Sequence, residues 1–392
     1  MHKIRRIKGS ATAIIVTSAM VILAVGAHGP MGEAATTEAR GVWIHPESMF
    51  SGDAQVGRKQ VREFIDKIAA ANFNFVLPWT RSDYLVALKD TEYQKAVPIA
   101  RWDAVGEIIK VATEKGLQAH LWYSFTHYKS GTSPEFDPRL GGNPEWAARR
   151  IDEIIPDRTT GRPSPRRMDS VSPAIPEARA WQLNLISAAL QRYSYLKGLH
   201  IEEPGYGTSG YDANAKFLEL FRETYKAEPT HNIDGPDSTE LKARLTTQFM
   251  RNLRNILTER YPAITLSANG GFSWQADRRL GRDWMSWARM GWLGYYSPQI
   301  YQSNLDAFRT RAETVLRDLG PICPVYIGIG LAWSGGGSNT KETALKQIDI
   351  ARQAGAKGVI FFSGKSLTED YFAALREGPF REAAVMPMLV KP

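Results

Sequence analysis

From residue 40 onward, short apolar runs alternate with amphipathic stretches, and this alternation constrains the fold more than any other feature of the chain. Eight apolar runs have the length of a buried strand, and segments with apolar residues at three- and four-residue spacing lie between them. Eight β/α units in order predict an α/β fold that closes into a parallel (β/α)8 barrel of the TIM type. The predicted strands cover residues 41–45, 73–79, 117–123, 198–202, 264–268, 293–300, 325–330 and 358–362.

Two connections are too long for plain loops, and both follow predicted strands. Residues 125–176 follow the third strand, and residues 204–236 follow the fourth and include a predicted helix over 213–226. In such a barrel these loops rise on the C-terminal face, where active sites are built. We therefore expect long loops after strands 3 and 4 that wall a groove. One barrel domain is expected over residues 36–385, with a C-terminal tail over 386–392.

The first 35 residues differ in character from the rest and predict a signal peptide with a short linker. Four basic residues precede an almost uninterrupted apolar or small run over 11–27, and small residues follow at Ala27 and Ala34. The run is shorter than the ~20 residues that a membrane span needs. We therefore expect cleavage and export, with an uncleaved membrane anchor as the alternative. The four basic residues are Lys3, Arg5, Arg6 and Lys8.

Charge and cysteine content narrow the classes of partner. The formal net charge of +8 falls to +4 once the four basic residues of the signal are removed, so the sequence does not indicate a nucleic-acid partner. Cys323 is the only cysteine and lies far from the N-terminus, so it forms no disulfide framework and no lipoprotein anchor. The mature protein is expected in a secreted, periplasmic or cell-envelope location, with no membrane association. The sequence leaves the oligomeric state open.

The end of the fourth predicted strand is the most informative site in the sequence. Side chains alternate along a strand, so if Leu199 and Ile201 face the helices, His200 and Glu202 face the barrel lumen and Glu203 stands at the rim. Burial raises the pKa of a carboxyl group and suits it to general-acid work on a glycosidic oxygen. We therefore predict Glu202 and Glu203 as catalytic residues. The alternative is a surface pair that only terminates the strand.

Side chains suited to sugar binding follow most of the other predicted strands. The C–H faces of sugars stack on Trp and Tyr rings, while amides, His and Arg bind the hydroxyls. Each aromatic alone is more typical of the core than of a ligand platform, but their occurrence at successive strand ends favours a groove, with Trp122 and Tyr301 at its rim. The predicted substrate-binding residues are His45, Trp79, Arg81, His120, Trp122, Tyr206, Asn269, Gln299, Tyr301 and Trp333.

A zinc site built from His45, His120 and His200 is a weaker alternative. All three lie near strand ends, and imidazole binds zinc well. No strand carries a His-x-His pair, and hydrogen bonding to a glycan explains the three histidines equally well. The glycine-rich segment 334–338 lacks the Lys-Ser/Thr ending of a phosphate-binding loop. We therefore predict neither a metal nor a cofactor.

The strand-end motifs resemble those of the glycosyl-hydrolase-like family 10 of bacterial envelope proteins. The resemblance starts at RGVWI (40–44) and runs through TR (80–81), HLW (120–122), PEAR (176–179), LS (266–267), SPQIY (297–301) and YIG (326–328). It implies a (β/α)8 fold, export to the envelope and action on amino-sugar glycans such as peptidoglycan strands. The family usually ends its fourth strand in two aspartates and an aromatic residue, where this chain has Glu202, Glu203 and Pro204. Its SPQIY motif also continues with Gln302, where the family favours Trp.

Three functions remain open from the sequence. The favoured one is a glycoside hydrolase that acts on an envelope or extracellular polysaccharide. The later strands supply no second carboxylate, so it must come from strand 4, from Glu47 or Asp83, or from a loop. The adjacent acidic pair favours a substrate-assisted scheme, in which one carboxyl protonates the leaving group and the other orients the substrate's acetamido group. The alternatives are a non-catalytic carbohydrate-binding barrel and, more remotely, a metal-dependent polysaccharide deacetylase.

Overall fold

The strands of this protein form a closed parallel barrel. Its computed structural model describes residues 36–89, 97–124, 143–154, 171–332 and 338–388. Each strand pairs in parallel with the next, and the first pairs with the last. The predicted (β/α)8 barrel is therefore confirmed, and every predicted strand end lies within two residues of the observed one. The strands are β1 (Ala39–Ile44), β2 (Phe75–Thr80), β3 (Gln118–Ser124), β4 (Gly198–Glu202), β5 (Thr265–Gly270), β6 (Tyr295–Ile300), β7 (Tyr326–Gly330) and β8 (Gly358–Phe362).

Alternation of side chains separates two apolar layers. Leu199 and Ile201 belong to the large core between the strands and the surrounding helices. Positions two apart on a strand face the same side, so the alternate residues of each strand point into the barrel lumen. There they form a second cluster, which consists mostly of large rings. The lumen cluster includes Trp43, Phe75, Leu77, Trp79, Trp122, Tyr295, Tyr326 and Ile360.

The described residues also form twelve α-helices. These are α1 (Pro46–Met49), α2 (Ala54–Ala70), α3 (Ser82–Ala87), α4 (Ala104–Glu114), α5 (Pro176–Arg192), α6 (Ala215–Tyr225), α7 (Pro236–Arg260), α8 (Trp274–Arg279), α9 (Trp284–Arg289), α10 (Leu305–Leu319), α11 (Lys341–Gln353) and α12 (Glu369–Glu377). Short 3-10 turns cover Pro98–Trp102, Pro144–Trp146, Ile151–Glu153, Pro229–His231 and Gly364–Ser366. None of the helices in these ranges is both long and apolar enough to cross a membrane.

Local sequence explains where the helices begin. The Asp53 carboxylate accepts from the backbone N–H groups of Gln55 and Val56 and so caps α2. Asn214 caps α6 in the same way, and α6 lies within the helix predicted for the loop after the fourth strand. Caps of this kind satisfy backbone donors that otherwise lack a partner at a helix start.

The start and the end of the barrel are joined by an ion-pair network. Thr36–Thr37 pairs in parallel with Ala384–Val385, next to the β1–β8 seam. The buried Glu38 carboxylate binds the guanidinium groups of Arg40 and Arg352 at 2.7 Å each. These contacts tie β1 to α11 beside the seam.

Candidate active site

Glu202 is the last residue of β4 and lies inside the barrel at its C-terminal end. Its side chain accepts three hydrogen bonds, one from each of the three strands β3, β5 and β6. Trp122 Nε1 donates to Oε2 at 2.6 Å, Asn269 Nδ2 donates to the same oxygen, and Gln299 Nε2 donates to Oε1 at 3.2 Å. These donors orient the carboxyl group within a site that leaves only 9% of the residue exposed.

Opposing effects act on the proton affinity of Glu202. Burial raises the pKa of its carboxyl group, and the charge of Glu203 raises it further. The hydrogen bonds from Asn269, Trp122 and Gln299 favour the ionised form and lower the pKa. The net result is a pKa of about 7, so a large fraction of the group carries a proton at neutral pH. A general acid requires this property.

Glu203 directly follows β4 and is held by Asn269 on β5 and by Arg282 in the loop after β5. Its backbone has a left-handed conformation, with φ of 37°, and its N–H donates to Asn269 Oδ1 at 2.8 Å. Its carboxylate accepts from Arg282 Nη2 at 2.8 Å, and its side chain is 21% exposed. Asn269 therefore binds both acidic residues, the side chain of Glu202 and the backbone of Glu203.

An aromatic group lies beside Glu202 at the open end of the barrel. The His45 ring meets the Trp122 ring edge to face at 4.9 Å and the Phe362 ring at 5.4 Å. Tyr301 stacks on Phe362 with ring centroids 5.0 Å apart, and Trp79 packs against Trp122 at 4.2 Å. His45, Tyr301 and Phe362 are partly exposed and so form the accessible part of this lining. Sequence reasoning missed Phe362, because an apolar residue that ends a strand looks like core.

Two positive charges lie close to His45. Burial lowers the pKa of the His45 imidazole to about 4, and the charges of Arg81 and Lys365 lower it further. His45 is therefore neutral at physiological pH and offers one donor and one acceptor. Arg81 is itself held by Asp83 and by Glu47, so neither carboxylate that the sequence offered as a second catalytic group is free of an ion pair.

Several predicted substrate-binding residues are buried too deeply to contact a ligand in this structure. Trp122 was expected at the rim but is only 1% exposed, because β3 continues for two residues beyond it. His120 is fully buried in the lumen, with Nδ1 2.9 Å from the Tyr295 hydroxyl. Strand alternation predicts the face of the sheet correctly, but it carries no information about depth.

Two other predicted binding residues also have partners within the protein. Tyr206 is 1% exposed, and its hydroxyl donates to Asp212 Oδ2 at 3.0 Å. It packs with Ala148 and Tyr211 in a cluster separate from the lumen. Asn269 is equally buried, and both ends of its amide are occupied by the acidic pair. Trp333 lies outside the described residues.

The three histidines of the zinc alternative do not converge. His200 Nδ1 lies 2.8 Å from the Ser267 hydroxyl, and His120 pairs with Tyr295. Over the parts of the chain that the structure describes, no group of three or more His, Cys, Asp or Glu side chains is placed to hold a metal ion.

Comparisons with known proteins agree with this fold. A family model described as Glycosyl hydrolase-like 10 matches residues 38–328. The structure of the PgaB (BpsB) glycoside hydrolase domain from Bordetella bronchiseptica superposes with a TM-score of 0.62 at 13% identity, over 86% of this chain and 98% of that one. Alpha-L-fucosidase isoenzyme 2 from Paenibacillus thiaminolyticus gives 0.58 at 16% identity, over 86% of this chain and 48% of that one. At such identities the likeness shows the fold alone. No curated protein sequence matches this chain.

Proposed function

Because the chain belongs to the glycosyl hydrolase-like 10 family, we propose that it is an exported glycoside hydrolase that cleaves an envelope or extracellular polysaccharide. Family membership confirms the prediction of a glycosidase. The observation that best supports the proposal is the Glu202 carboxyl group, which is buried at the end of β4 with a pKa of about 7. The active sites of (β/α)8 enzymes lie at this face of the barrel.

Glu202 acts in this proposal as the general acid. Its proton passes to the glycosidic oxygen as the bond from that oxygen to the anomeric carbon breaks. Trp122, Asn269 and Gln299 then stabilise the carboxylate that forms, because all three donate to it. Water later returns a proton to Glu202 when the sugar is released. The same residue thus serves as acid and then as base.

The second carboxylate of the proposed mechanism is Glu203. Its charge acts on Glu202, while the neighbouring strands present the neutral side chains of Asn269 and Gln299. We expect an N-acetylated substrate, whose acetamido oxygen attacks the anomeric carbon while the Glu203 carboxylate orients the acetamido group. The preference for an amino sugar rests on the motifs shared with the family. The scheme retains the anomeric configuration, so proton NMR that shows an inverted product at early times would contradict it.

The partly exposed rings of His45, Tyr301 and Phe362 are proposed to hold the sugar next to Glu202. Aromatic faces bind the C–H faces of a pyranose, and neutral His45 binds a hydroxyl. The glycoside hydrolase domain that shares the fold is named for the same class of reaction. Its name supports a glycoside substrate without specifying the sugar.

Incubation of the mature protein with envelope and extracellular polysaccharides tests the proposal, with mass spectrometry of the products as the measurement. We expect shortened chains from at least one amino-sugar polymer and none with Glu202→Gln. The rate should fall on the alkaline side of a pH near 7, where Glu202 loses its proton. Binding of a glycan without any product would instead favour the carbohydrate-binding barrel, whose support is the replaced family aspartates.

Export is tested separately, because residues 1–35 lie outside the described residues. We expect the intact mass of the protein recovered outside the cytoplasm to correspond to a chain that begins at His28 or Ala35. Recovery of the full-length chain embedded in the membrane would show that the apolar segment is an anchor.

A further inference from the structure

Arg282 joins the loop after β4 to the loop after β5. It lies between α8 and α9 and is 4% exposed. Its Nη2 atom donates to the Glu203 carboxylate and to the Tyr206 carbonyl, each at 2.8 Å. Its Nη1 atom lies 3.5 Å from Asp277 Oδ1. One buried guanidinium therefore contacts Glu203 and Tyr206 after β4 and Asp277 after β5.

Asp277 is a fixed partner for this arginine. Its Oδ2 atom accepts from the backbone N–H of Gly271 at 2.6 Å and from Trp284 Nε1 at 2.8 Å. The Tyr296 hydroxyl on β6 donates to the same oxygen at 3.2 Å, and the Trp284 ring stacks on Tyr296 at 4.6 Å. Asp277, the partner of Arg282, is therefore fixed to the barrel wall through Tyr296.

The two loops approach each other closely at Gly205. A side chain at Gly205, whose φ is 155°, would lie 2.4 Å from the Leu280 carbonyl oxygen and 2.6 Å from Arg282 Cγ. The next residue, Tyr206, donates its N–H to that same carbonyl at 2.7 Å. The segment after Glu203 therefore packs directly on the segment that carries Arg282, and only glycine permits this approach.

We infer that Arg282 is a positioning residue of the glycosidase, which holds the Glu203 carboxylate beside Glu202 without contacting the substrate. The catalytic part of this role rests on the proposed function. The ion pair and the loop contact fix the position of the Glu203 charge whether or not the protein cleaves a glycan.

The charges that face Glu202 give this role a distinctive signature. Glu203 raises the pKa of Glu202. Arg282 attracts the Glu202 carboxylate and so favours its ionised form. The titratable groups that act on Glu202 are Glu203 directly after β4, Arg282 from the loop after β5 and the Tyr301 phenol after β6. Trp122 on β3, Asn269 on β5 and Gln299 on β6 are uncharged. Glu203 and Arg282 form one ion pair but act on Glu202 with opposite sign. Loss of Glu203 should therefore lower the pKa of Glu202, and loss of Arg282 should raise it.

Trp122 offers a readout that needs no substrate. Its Nε1 atom donates to Glu202 Oε2 at 2.6 Å, so the 15N-indole signal of Trp122 reports the ionisation of that carboxyl group. In the full chain this signal, identified with Trp122→Phe, should titrate with a midpoint of about 7. We expect Glu203→Gln to lower the midpoint, Arg282→Gln to raise it, and Arg282→Lys to leave it near the native value.

Arg278→Gln is the matched control, because Arg278 lies on the same segment and pairs with Glu240 and Asp283. It should leave the midpoint unchanged. A shift in the same direction for Glu203→Gln and Arg282→Gln, or an equal shift in the control, would overturn the inference. If Arg282→Gln does not fold, the double variant with Glu203→Gln removes both charges. Its midpoint should lie above that of Glu203→Gln alone, and equality of the two would also overturn the inference.

Activity separates this inference from the proposed function. With a substrate in hand, Arg282→Gln should lower kcat about 100-fold, the loss typical of a ~1 Å misplacement, with KM little changed. Arg282→Lys should recover part of that loss. Opposite shifts of the Trp122 signal in a protein that cleaves no glycan would retain the positioning role and reject the hydrolase.

Discussion

At the scale of single residues, the proton on Glu202 is controlled by two sets of neighbours with opposite effects. Burial and the Glu203 charge favour the protonated form, whereas three donors favour the carboxylate. An acid needs both, because it must hold a proton before the reaction and be stabilised after giving it up. The amides of Asn269 and Gln299 supply that second part without adding charge.

Glu202→Gln tests the role of this residue directly. The substitution keeps the size and removes the transferable proton, so turnover should fall by a factor of about 100 to 10,000 while glycan affinity stays nearly intact. Initial rates and calorimetric binding measure the two effects. Glu203→Gln should lose less turnover, because its carboxylate faces Arg282. A larger loss at Glu203 would assign the acid to that residue instead.

At the scale of elements, the position of a ring along its strand decides whether it can meet a ligand. Trp122 lies two residues before the end of β3, and Tyr301 directly follows the end of β6. The first is buried among the lumen rings, while the second remains partly exposed. These two aromatic residues at strand ends therefore differ in whether a ligand can reach them.

Substitution of each residue by alanine tests this difference in exposure. Trp122→Ala should cost about 3 to 5 kcal/mol of unfolding free energy, because it leaves a cavity in the lumen. Tyr301→Ala should cost less and should weaken glycan binding. Urea unfolding and calorimetric binding provide the two measurements. Equal stability losses for the two variants would place Tyr301 in the core as well.

At the scale of the whole molecule, the barrel depends on contacts between residues that are more than 300 positions apart. Glu38 binds Arg352 on α11, and Arg40 Nη1 donates to the Glu382 carbonyl at 2.6 Å. Arg352 also donates to the Pro379 carbonyl at 2.7 Å. The network bridges the first and last parts of the barrel domain beside the β1–β8 seam, so it stabilises closure.

Glu38→Gln should destabilise this seam. The change leaves Arg40, which is 2% exposed, without its carboxylate partner, and breaking a buried pair in this way costs about 3 to 5 kcal/mol. Arg352 is about one-third exposed, so water can solvate its guanidinium group and offset much of the loss of its ion pair with Glu38. Glu382→Gln is the control, because that side chain is exposed and pairs with the exposed Arg381. Urea unfolding measures the free energy of unfolding of both variants. Values equal to that of the native protein for both would exclude a stabilising role for the network.

The buried histidines make the whole molecule sensitive to acid. Burial lowers the pKa of His45 to about 4 and of His120 to about 3, against 6.5 for the free imidazole. The unfolded chain therefore binds protons that the folded chain excludes, and stability falls as the pH drops from about 6.5 towards 3. Glu202 has the opposite effect, because its raised pKa makes stability fall as the pH rises from 4.5 through about 7, and that loss persists at higher pH.

Urea unfolding at several pH values measures this balance. The decline in stability below pH 6.5 should become shallower in His120→Gln, since the glutamine has no proton to bind. The measurement uses the native protein as its reference at each pH. An unchanged slope in the variant would mean that His120 is accessible to protons in the folded protein.

The sequence alone determined the barrel and the place of the acidic pair. Apolar runs with strand length and eight-fold β/α repetition leave few other folds for such a chain, since each strand and helix must bury one face. Strand alternation likewise predicted that Glu202 points inward. These properties are local or periodic, so neighbouring residues in the chain encode them.

Tertiary structure alone decided depth and pairing. The burial of Trp122, the use of Asn269 as a partner of both glutamates, and the ion pair between Glu203 and Arg282 depend on contacts between different strands and loops. Phe362 became part of the site only because the barrel closes β8 against β1 beside His45. Such contacts join residues far apart in the chain, and side-chain periodicity along one strand holds no information about them.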